Sequence, residues 1–239
     1  MQAVILAGGL GTRLRPFTEV IPKPLLPIGE KSVLEIQIEQ LRRHGCDEVF
    51  LATNYKSDYV RNFFGDGSRY GVRLHISEEK IPLGTAGPLT LIKDRLTKPF
   101  IVMNGDILST IDFSKFYRFA LDLPAALCVS IKKVITPFAF GRIHHEGDYV
   151  LDIEEKPNFE IQVLAGIYVM KPEIFQFIPD NTYFGMDKLI KNMLAGGAPV
   201  GKYQLQEYWL DIGQIPDYER AQQAYEQHFA RVEAEEPKT

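Results

Sequence analysis

The sequence predicts an α/β protein whose central sheet is mostly parallel and covered by helices on both faces. Short apolar runs at 4–6, 48–53, 72–77 and 100–103 alternate with helix-length amphipathic segments, in the order βαβαβ with short connections. The first run, Val4-Ile5-Leu6, shows no polar alternation, as expected of a strand buried on both faces. At 239 residues, 45% of them hydrophobic and 24% charged, the chain is long enough to bury a sizeable core.

The first strand ends in Gly8, Gly9 and Gly11, which let the backbone turn tightly and approach a ligand with no side chain in the way. Such a turn can aim several N–H groups into one concavity, an anion site. Arg13, Arg15 and Lys23 add cations, so the stretch suits a polyphosphate. A Walker A loop is excluded because Thr12 and Arg13 follow Gly11, and the dinucleotide fingerprint fails at Leu14. Residues 32–45 read as a helix: Ser32 and Glu35 have capping-box spacing, Leu34, Ile38 and Leu41 form the apolar stripe, and Gly45 stops it. A strand at 48–53, a helix at 54–64, a glycine-rich loop at 65–71 and a strand at 72–77 follow.

The small residues Gly84, Thr85, Ala86 and Gly87 form a turn into a helix expected at 88–96. The strand at 100–103 runs into Asn104-Gly105-Asp106. Alone, this triplet reads as an Asp capping the next helix. Beside a phosphate loop, at the carboxyl end of a central strand, Asp106 is a candidate ligand for a divalent cation. A helix at 111–121 starts near Asp112 or Ser114, and a strand covers 125–134. A hairpin pairs 138–143 with 149–155, and Glu154-Glu155-Lys156-Pro157 reads as a solvated charge cluster. A strand at 163–170 and helices at 172–178 and 187–195 lead to Trp209-Leu210-Asp211, an apolar strand closed by an acid. A terminal helix is expected at about 215–233, with a frayed, charged tail to 239.

Composition narrows the function. A net charge of −4 gives no electrostatic support for nucleic-acid binding. Two distant cysteines, Cys46 and Cys128, suggest neither a disulfide framework nor a zinc site. There is no secretory leader pattern and no apolar run long enough to span a membrane, so a cytoplasmic enzyme is the expectation.

Gly8-Gly9-Leu10-Gly11-Thr12-Arg13-Leu14 followed by Pro22-Lys23-Pro24 resembles the signature of the sugar-1-phosphate nucleotidylyltransferases. Leu83-Gly84-Thr85-Ala86-Gly87, Asn104-Gly105-Asp106, Glu155-Lys156-Pro157, Gly166-Ile167-Tyr168 and Asp211 follow in that family's order, so the resemblance covers Gln2 to about Ala224. It implies a Rossmann-like three-layer α/β/α sandwich of the nucleotide-diphospho-sugar transferase type. It also implies a single catalytic domain over 1–239, without a fused left-handed β-helix. The implied reaction joins a nucleoside monophosphate from a nucleoside triphosphate to a sugar 1-phosphate and releases pyrophosphate.

By the same resemblance, Arg13, Lys23, Asp106 and Asp211 are catalytic, and Mg²⁺ sits between Asp106 and Asp211. Leu6, Ala7, Gly8, Gly9, Gly11, Thr12, Arg13, Gly84, Thr85, Asn104 and Gly105 line the nucleotide. Lys23, Gly141, Glu155, Lys156, Gly166 and Tyr168 line the sugar phosphate. Pro24 stands where thymidylyltransferases typically carry Gln, and the pattern is closer to mannose-1-phosphate and heptose-1-phosphate guanylyltransferases, which favours GTP. Uridylyl or thymidylyl transfer to another sugar 1-phosphate is the alternative, and a non-catalytic nucleotide-sugar-binding homologue is the alternative of another class. A glycosyltransferase would show Asp-x-Asp where this chain has Asn104-Gly105-Asp106. A homodimer is possible through Ala221, Ala224, Tyr225 and Phe229 of the last helix, which could equally pack within the chain.

Overall fold

The computed structural model describes residues 1–54 and 57–230. Its strands are β1 (Gln2–Leu6), β2 (Pro27–Ile28), β3 (Lys31–Ser32), β4 (Glu48–Thr53), β5 (Arg73–Glu78), β6 (Phe100–Asn104), β7 (Ile107–Ser109), β8 (Leu127–Pro137), β9 (Arg142–Glu146), β10 (Tyr149–Glu154), β11 (Asn158–Met170), β12 (Val200–Gln204) and β13 (Trp209–Asp211). Its helices are α1 (Phe17–Val20), α2 (Val33–Arg43), α3 (Ser57–Phe64), α4 (Phe113–Leu121), α5 (Met186–Ala195) and α6 (Ile215–His228).

Seven strands form one sheet in the order β12-β8-β11-β6-β1-β4-β5. β1 lies parallel to β4 and β6, and β4 to β5. Only β11 is reversed, antiparallel to both β6 and β8, while β12 runs parallel to β8. β1, β4, β5 and β6 therefore end on the same edge, and the loops that leave them meet there.

Alternate residues of each strand feed opposite faces. Ala3, Ile5, Val49, Leu51, Ile101 and Met103 join Leu34, Ile38, Leu41 and Phe116 in one core. Val4, Phe50, Phe100 and Val102 join Leu89, Leu189 and Met193 in the other. Both faces are covered, which makes the three layers. A third cluster holds Leu14, Leu26, Ile28, Ile36, Leu210 and Ile212 beneath α6. Ala221, Ala224, Tyr225 and Phe229 are buried there or close by, so these four side chains pack within the chain.

Local chemistry sets the ends of α2. The Glu35 N–H donates to Ser32 Oγ at 3.2 Å, and the Ser32 N–H to Glu35 Oε2 at 2.7 Å. At the other end Gly45 is left-handed (φ 82°), Cys46 N bonds Leu41 O, and Gly45 N bonds Arg42 O, closing the orphan carbonyls in a Schellman motif. Asp112 caps α4 through Lys115 N at 2.9 Å.

Some expectations are revised. The helix expected at 88–96 is a 3-10 helix, Gly87–Arg95. Pro88 has no N–H to give, the N–H groups of Ala86 and Gly87 both go to Phe184 O, and the Thr90 hydroxyl donates to Gly87 O at 2.8 Å. β8 and β11 extend beyond the expected spans and carry the β9–β10 hairpin out as an arm. β7 and β12 were not expected. The helix expected from 54 starts at Ser57, with residues 55–56 outside the described residues. α6 ends at His228. The remainder expected at 231–233, and the tail, also lie outside them.

Candidate active site

Two adjoining cavities open at the carboxyl ends of β1 and β6. The first, about 220 Å³, is lined by Leu6, Ala7, Gly9, Gly11, Thr12, Arg13, Lys23, Pro24, Gly105, Asp106 and Gly213. The second, about 290 Å³, is lined by Leu6, Gly8, Gly9, Glu79, Pro82, Gly84, Thr85, Pro88, Asn104, Asp106 and Tyr183. Every residue expected at the nucleotide lines one of them. Gly9 has open space where a side chain would stand, and among the described residues the N–H groups of Gly9, Leu10 and Gly11 make no hydrogen bond. This leaves donors free for an anion. Gly11 is left-handed (φ 62°) and held by Thr18, whose hydroxyl donates to Gly11 O at 2.8 Å. The Arg13 guanidinium lies beside Gly213, and a Cβ there would stand 3.5 Å from both terminal nitrogens.

The turn after β6 is tightly built. Gly105 N donates to Leu6 O at 2.9 Å, and a Cβ on Gly105 would press to 2.9 Å from that oxygen, so glycine is what lets the two strand ends close up. Lys23 pairs with Asp106 Oδ2. Asp106 Oδ1 is buried and has no partner. Across from it stands Asp211, at the end of β13, which pairs with β7. A backbone bond ties the two acidic segments, Ile212 N to Asp106 O at 2.9 Å. Trp209 Nε1 donates to Ala165 O at 2.7 Å and fixes the approach of β13. Asp211 keeps an exposed face. Even so, loss of hydration first, and the Asp106 charge second, raise its pKa above the ordinary carboxylate value, against the opposing pull of Lys23 and Arg13.

This pair fits a divalent cation. One Asp106 oxygen has no hydrogen-bond partner, and the Asp106 charge disfavours ionisation of Asp211; a cation shared by the two carboxylates would relieve both conditions. Among the described residues no cluster of three or more His, Cys, Asp and Glu gathers. Two protein carboxylates leave the rest of a divalent cation's shell to waters and phosphate oxygens.

The residues expected at the sugar are placed less evenly. Gly166 (φ 71°) abuts Asn104, with a Cβ position 2.8 Å from Asn104 Nδ2. Tyr168 is 4% exposed, and its hydroxyl is pushed up to about 12 by burial first and the Asp106 charge second. Gly141 and Glu155 adjoin each other on the exposed arm, with Lys156 next in sequence, and none of the three lines either cavity. Thr85 also has a structural task, accepting from Met186 N at 2.8 Å at the start of α5.

Glu79 has no counterpart in the sequence reading. Its side chain is buried, it accepts from Leu83 N at 2.8 Å, and its other oxygen stands 2.9 Å from where a Gly8 Cβ would be. Burial raises its pKa, while the Leu83 bond opposes the shift. The only signal in the sequence was its place just past a strand end.

A sheet-edge cleft with a glycine nest, two cations and a facing acidic pair defines a phosphoryl-transfer type of site. Residues 2–228 match the nucleotidyl transferase family, and the chain belongs to it. It is 36% identical over 227 residues to a probable mannose-1-phosphate guanylyltransferase of Oryza sativa subsp. japonica, and 34% over 226 residues to the mannose-1-phosphate guanylyltransferase catalytic subunit beta of Danio rerio. Each alignment covers 91% of this chain. The chain spans 63% and 62% of the length of these relatives. Among solved structures, HddC from Yersinia pseudotuberculosis complexed with GMP-PN has a TM-score of 0.72 at 28% identity, covering 94% of this chain and 99% of that one. A putative glucose-1-phosphate thymidylyltransferase from Bacillus anthracis, at 24% identity and a TM-score of 0.77, shares the fold, covering 94% of each chain.

Proposed function

We propose that this chain transfers guanylyl from GTP to a sugar 1-phosphate, releasing pyrophosphate, and that 1–239 acts as one catalytic unit. The observation that carries the choice of base is Glu79. A carboxylate only accepts. Guanine presents N1–H and N2–H₂ side by side, two donors for a carboxylate of which only Oε2 is already engaged, by the Leu83 N–H. Uracil and thymine offer one N–H between two carbonyl oxygens, and adenine and cytosine set a ring-nitrogen acceptor beside their amino group. A buried carboxylate that pairs with no cation among the described residues suits guanine best. The names of the rice and zebrafish relatives agree with this reading.

A sugar phosphate oxygen, already anionic near neutral pH, attacks the α-phosphorus in line. The new O–P bond forms as the bond to the β-phosphate oxygen breaks, and pyrophosphate leaves with its charge. No general base is needed, so the work is positioning and neutralisation. The nest from Gly9 to Thr12, with Arg13, holds the leaving phosphates. Lys23 stands between the α-phosphate and the incoming phosphate. Gly84 and Thr85 lie under the base and ribose. Lys156 anchors the sugar phosphate, and Gly141, Glu155, Gly166 and Tyr168 shape the sugar pocket. Asp106 and Asp211 would hold Mg²⁺, which when bound neutralises charge on the α-phosphate. Both substrates are small water-soluble phosphates, so the proposed compartment is the cytoplasm. Among the described residues no helix is long and apolar enough to cross a membrane.

The test is pyrophosphate release from GTP, UTP, dTTP, CTP and ATP against a panel of sugar 1-phosphates with Mg²⁺. GTP with a manno-configured sugar is the expected pair, and release with UTP or dTTP but not GTP overturns the base assignment. Glu79→Gln is expected to lower kcat/KM for GTP about 100-fold and to narrow its lead over UTP. Unchanged selectivity would remove Glu79 from base recognition.

A further inference from the structure

We propose that Gln37 is the positioning residue of the acidic pair: its side-chain amide ties the two ends of the turn that presents Asp106. The inference rests on Asp106 being a metal ligand.

Gln37 is 3% exposed, on a helix whose inward residues Leu34, Ile38 and Leu41 are all fully buried. A polar side chain is out of place in that stripe unless it is used. Both Nε2 hydrogens are used. One goes to Asn104 O at 2.9 Å and the other to Ile107 O at 2.8 Å. These carbonyls belong to the last residue of β6 and the first of β7, and Gly105 and Asp106 are the residues between them. One planar NH₂ group thus fixes the distance across the mouth of the turn. Leu6 O holds the turn from below through Gly105 N, and Ile212 N holds Asp106 O from the side of Asp211.

The amide does not serve itself equally well. Gln37 Oε1 is buried and has no partner. A residue present only to fill the core would need neither the donors nor the orphaned oxygen, and Met would fill the same space without them. The arrangement makes sense if the aim of the Asp106 carboxylate is what the amide secures. This is how groups behind metal ligands act elsewhere, where their loss typically weakens metal affinity or activity about 10- to 100-fold.

The test compares Gln37→Met with the parent, with Mn²⁺ alone as the probe. Its binding to the nucleotide-free protein is titrated by the loss of free Mn²⁺ signal in electron paramagnetic resonance. Gln37→Met is expected to weaken Mn²⁺ binding about tenfold and to lower kcat by a similar factor, with KM for the nucleotide changed less than twofold. Ile38→Val, a trim on the same helix face, is expected to lower the melting temperature and leave Mn²⁺ affinity unchanged. Gln37→Asn, too short to span both carbonyls, repeats the measurement if the Met variant does not fold. Mn²⁺ binding lost in Asp106→Asn but unaltered in Gln37→Met overturns the positioning role alone. Binding that survives Asp106→Asn overturns the metal-ligand reading and this inference with it. If both Gln37 variants fail to fold, Gln37 belongs to the core and the proposal falls.

Discussion

The two oxygens of Asp106 have different surroundings. Oδ2 meets the Lys23 ammonium, and Oδ1 meets nothing. Lys23→Ala is therefore expected to cost turnover at least 100-fold. Its effect on stability should be small, because the Asp106 carboxylate is still a quarter exposed and water can replace part of what the ammonium gives. Rate and melting temperature measured on the same preparation check this, and a large loss of stability with intact specific activity would mark Lys23 as structural. Asp211→Asn is expected to abolish metal-dependent turnover in a folded protein, and near-normal rates at saturating Mg²⁺ would sink its assignment. The thiols offer a contrast. Burial pushes both Cys46 and Cys128 up to about 11, so neither should react with a thiol reagent at pH 8 in the native protein, and both should react after denaturation. Rapid native labelling would refute that. Arg13 and Lys23, which line the first cavity, stood out in the sequence because glycine spacing and nearby charge are local properties, whereas Asp106 gained weight only beside the distant phosphate loop. Glu79 did not stand out. Glu78-Glu79-Lys80 reads as solvated charge, and it takes Gly8 and Leu83 folded against it to make the middle residue a buried acceptor.

The α2 boundaries were readable because their causes lie within a few residues, a capping box at one end and a left-handed glycine at the other. The 3-10 helix at Gly87–Arg95 was not, because the acceptor that takes its first N–H groups, Phe184 O, comes from a distant part of the chain. β7 is three residues long and is a strand only by pairing with β13, so it has too little sequence to show a period, whereas β13 is the apolar strand expected to end at Asp211. The grip of α6 on the β2–β3 hairpin was equally hidden. Tyr218 and Gln222 donate to Pro27 O at 2.6 and 2.7 Å, and Gln222 accepts from Gly29 N at 2.9 Å. Gly29 is left-handed (φ 60°), and a Cβ there would fall 2.1 Å from the Tyr225 ring. Gly29→Ala is expected to destabilise the protein by about 3 kcal/mol, from backbone strain plus the displaced ring. Denaturant unfolding measures it, and a loss below about 1 kcal/mol would mean that α6 moves aside freely.

Across the whole molecule, the parallel half of the sheet is buried on both faces, whereas the β9–β10 arm is not. Every residue of β10 is exposed, and an isolated two-stranded ribbon is marginal in water. Limited trypsin digestion should therefore cut first in the arm, after Arg142 (Lys156 is shielded by the Pro157 that follows it), and mass spectrometry of the first fragments checks it. First cuts in the loops flanking β6 would show that the sheet, not the arm, opens most easily. That the arm would stand clear was beyond sequence reading, since β10 carries Tyr149, Val150, Leu151 and Ile153 and looks like a core strand. The hydrogen bond from Ile212 N to Asp106 O has a further consequence, in the order of biosynthesis. A nascent chain that has left the ribosome only through β11 already contains the glycine nest, Arg13, Lys23, Asp106 and the Gln37 tie. It lacks β13, and with it Asp211. The acidic pair is therefore closed only when the last strand emerges, and the wall that Gly213 adds to the first cavity arrives with it.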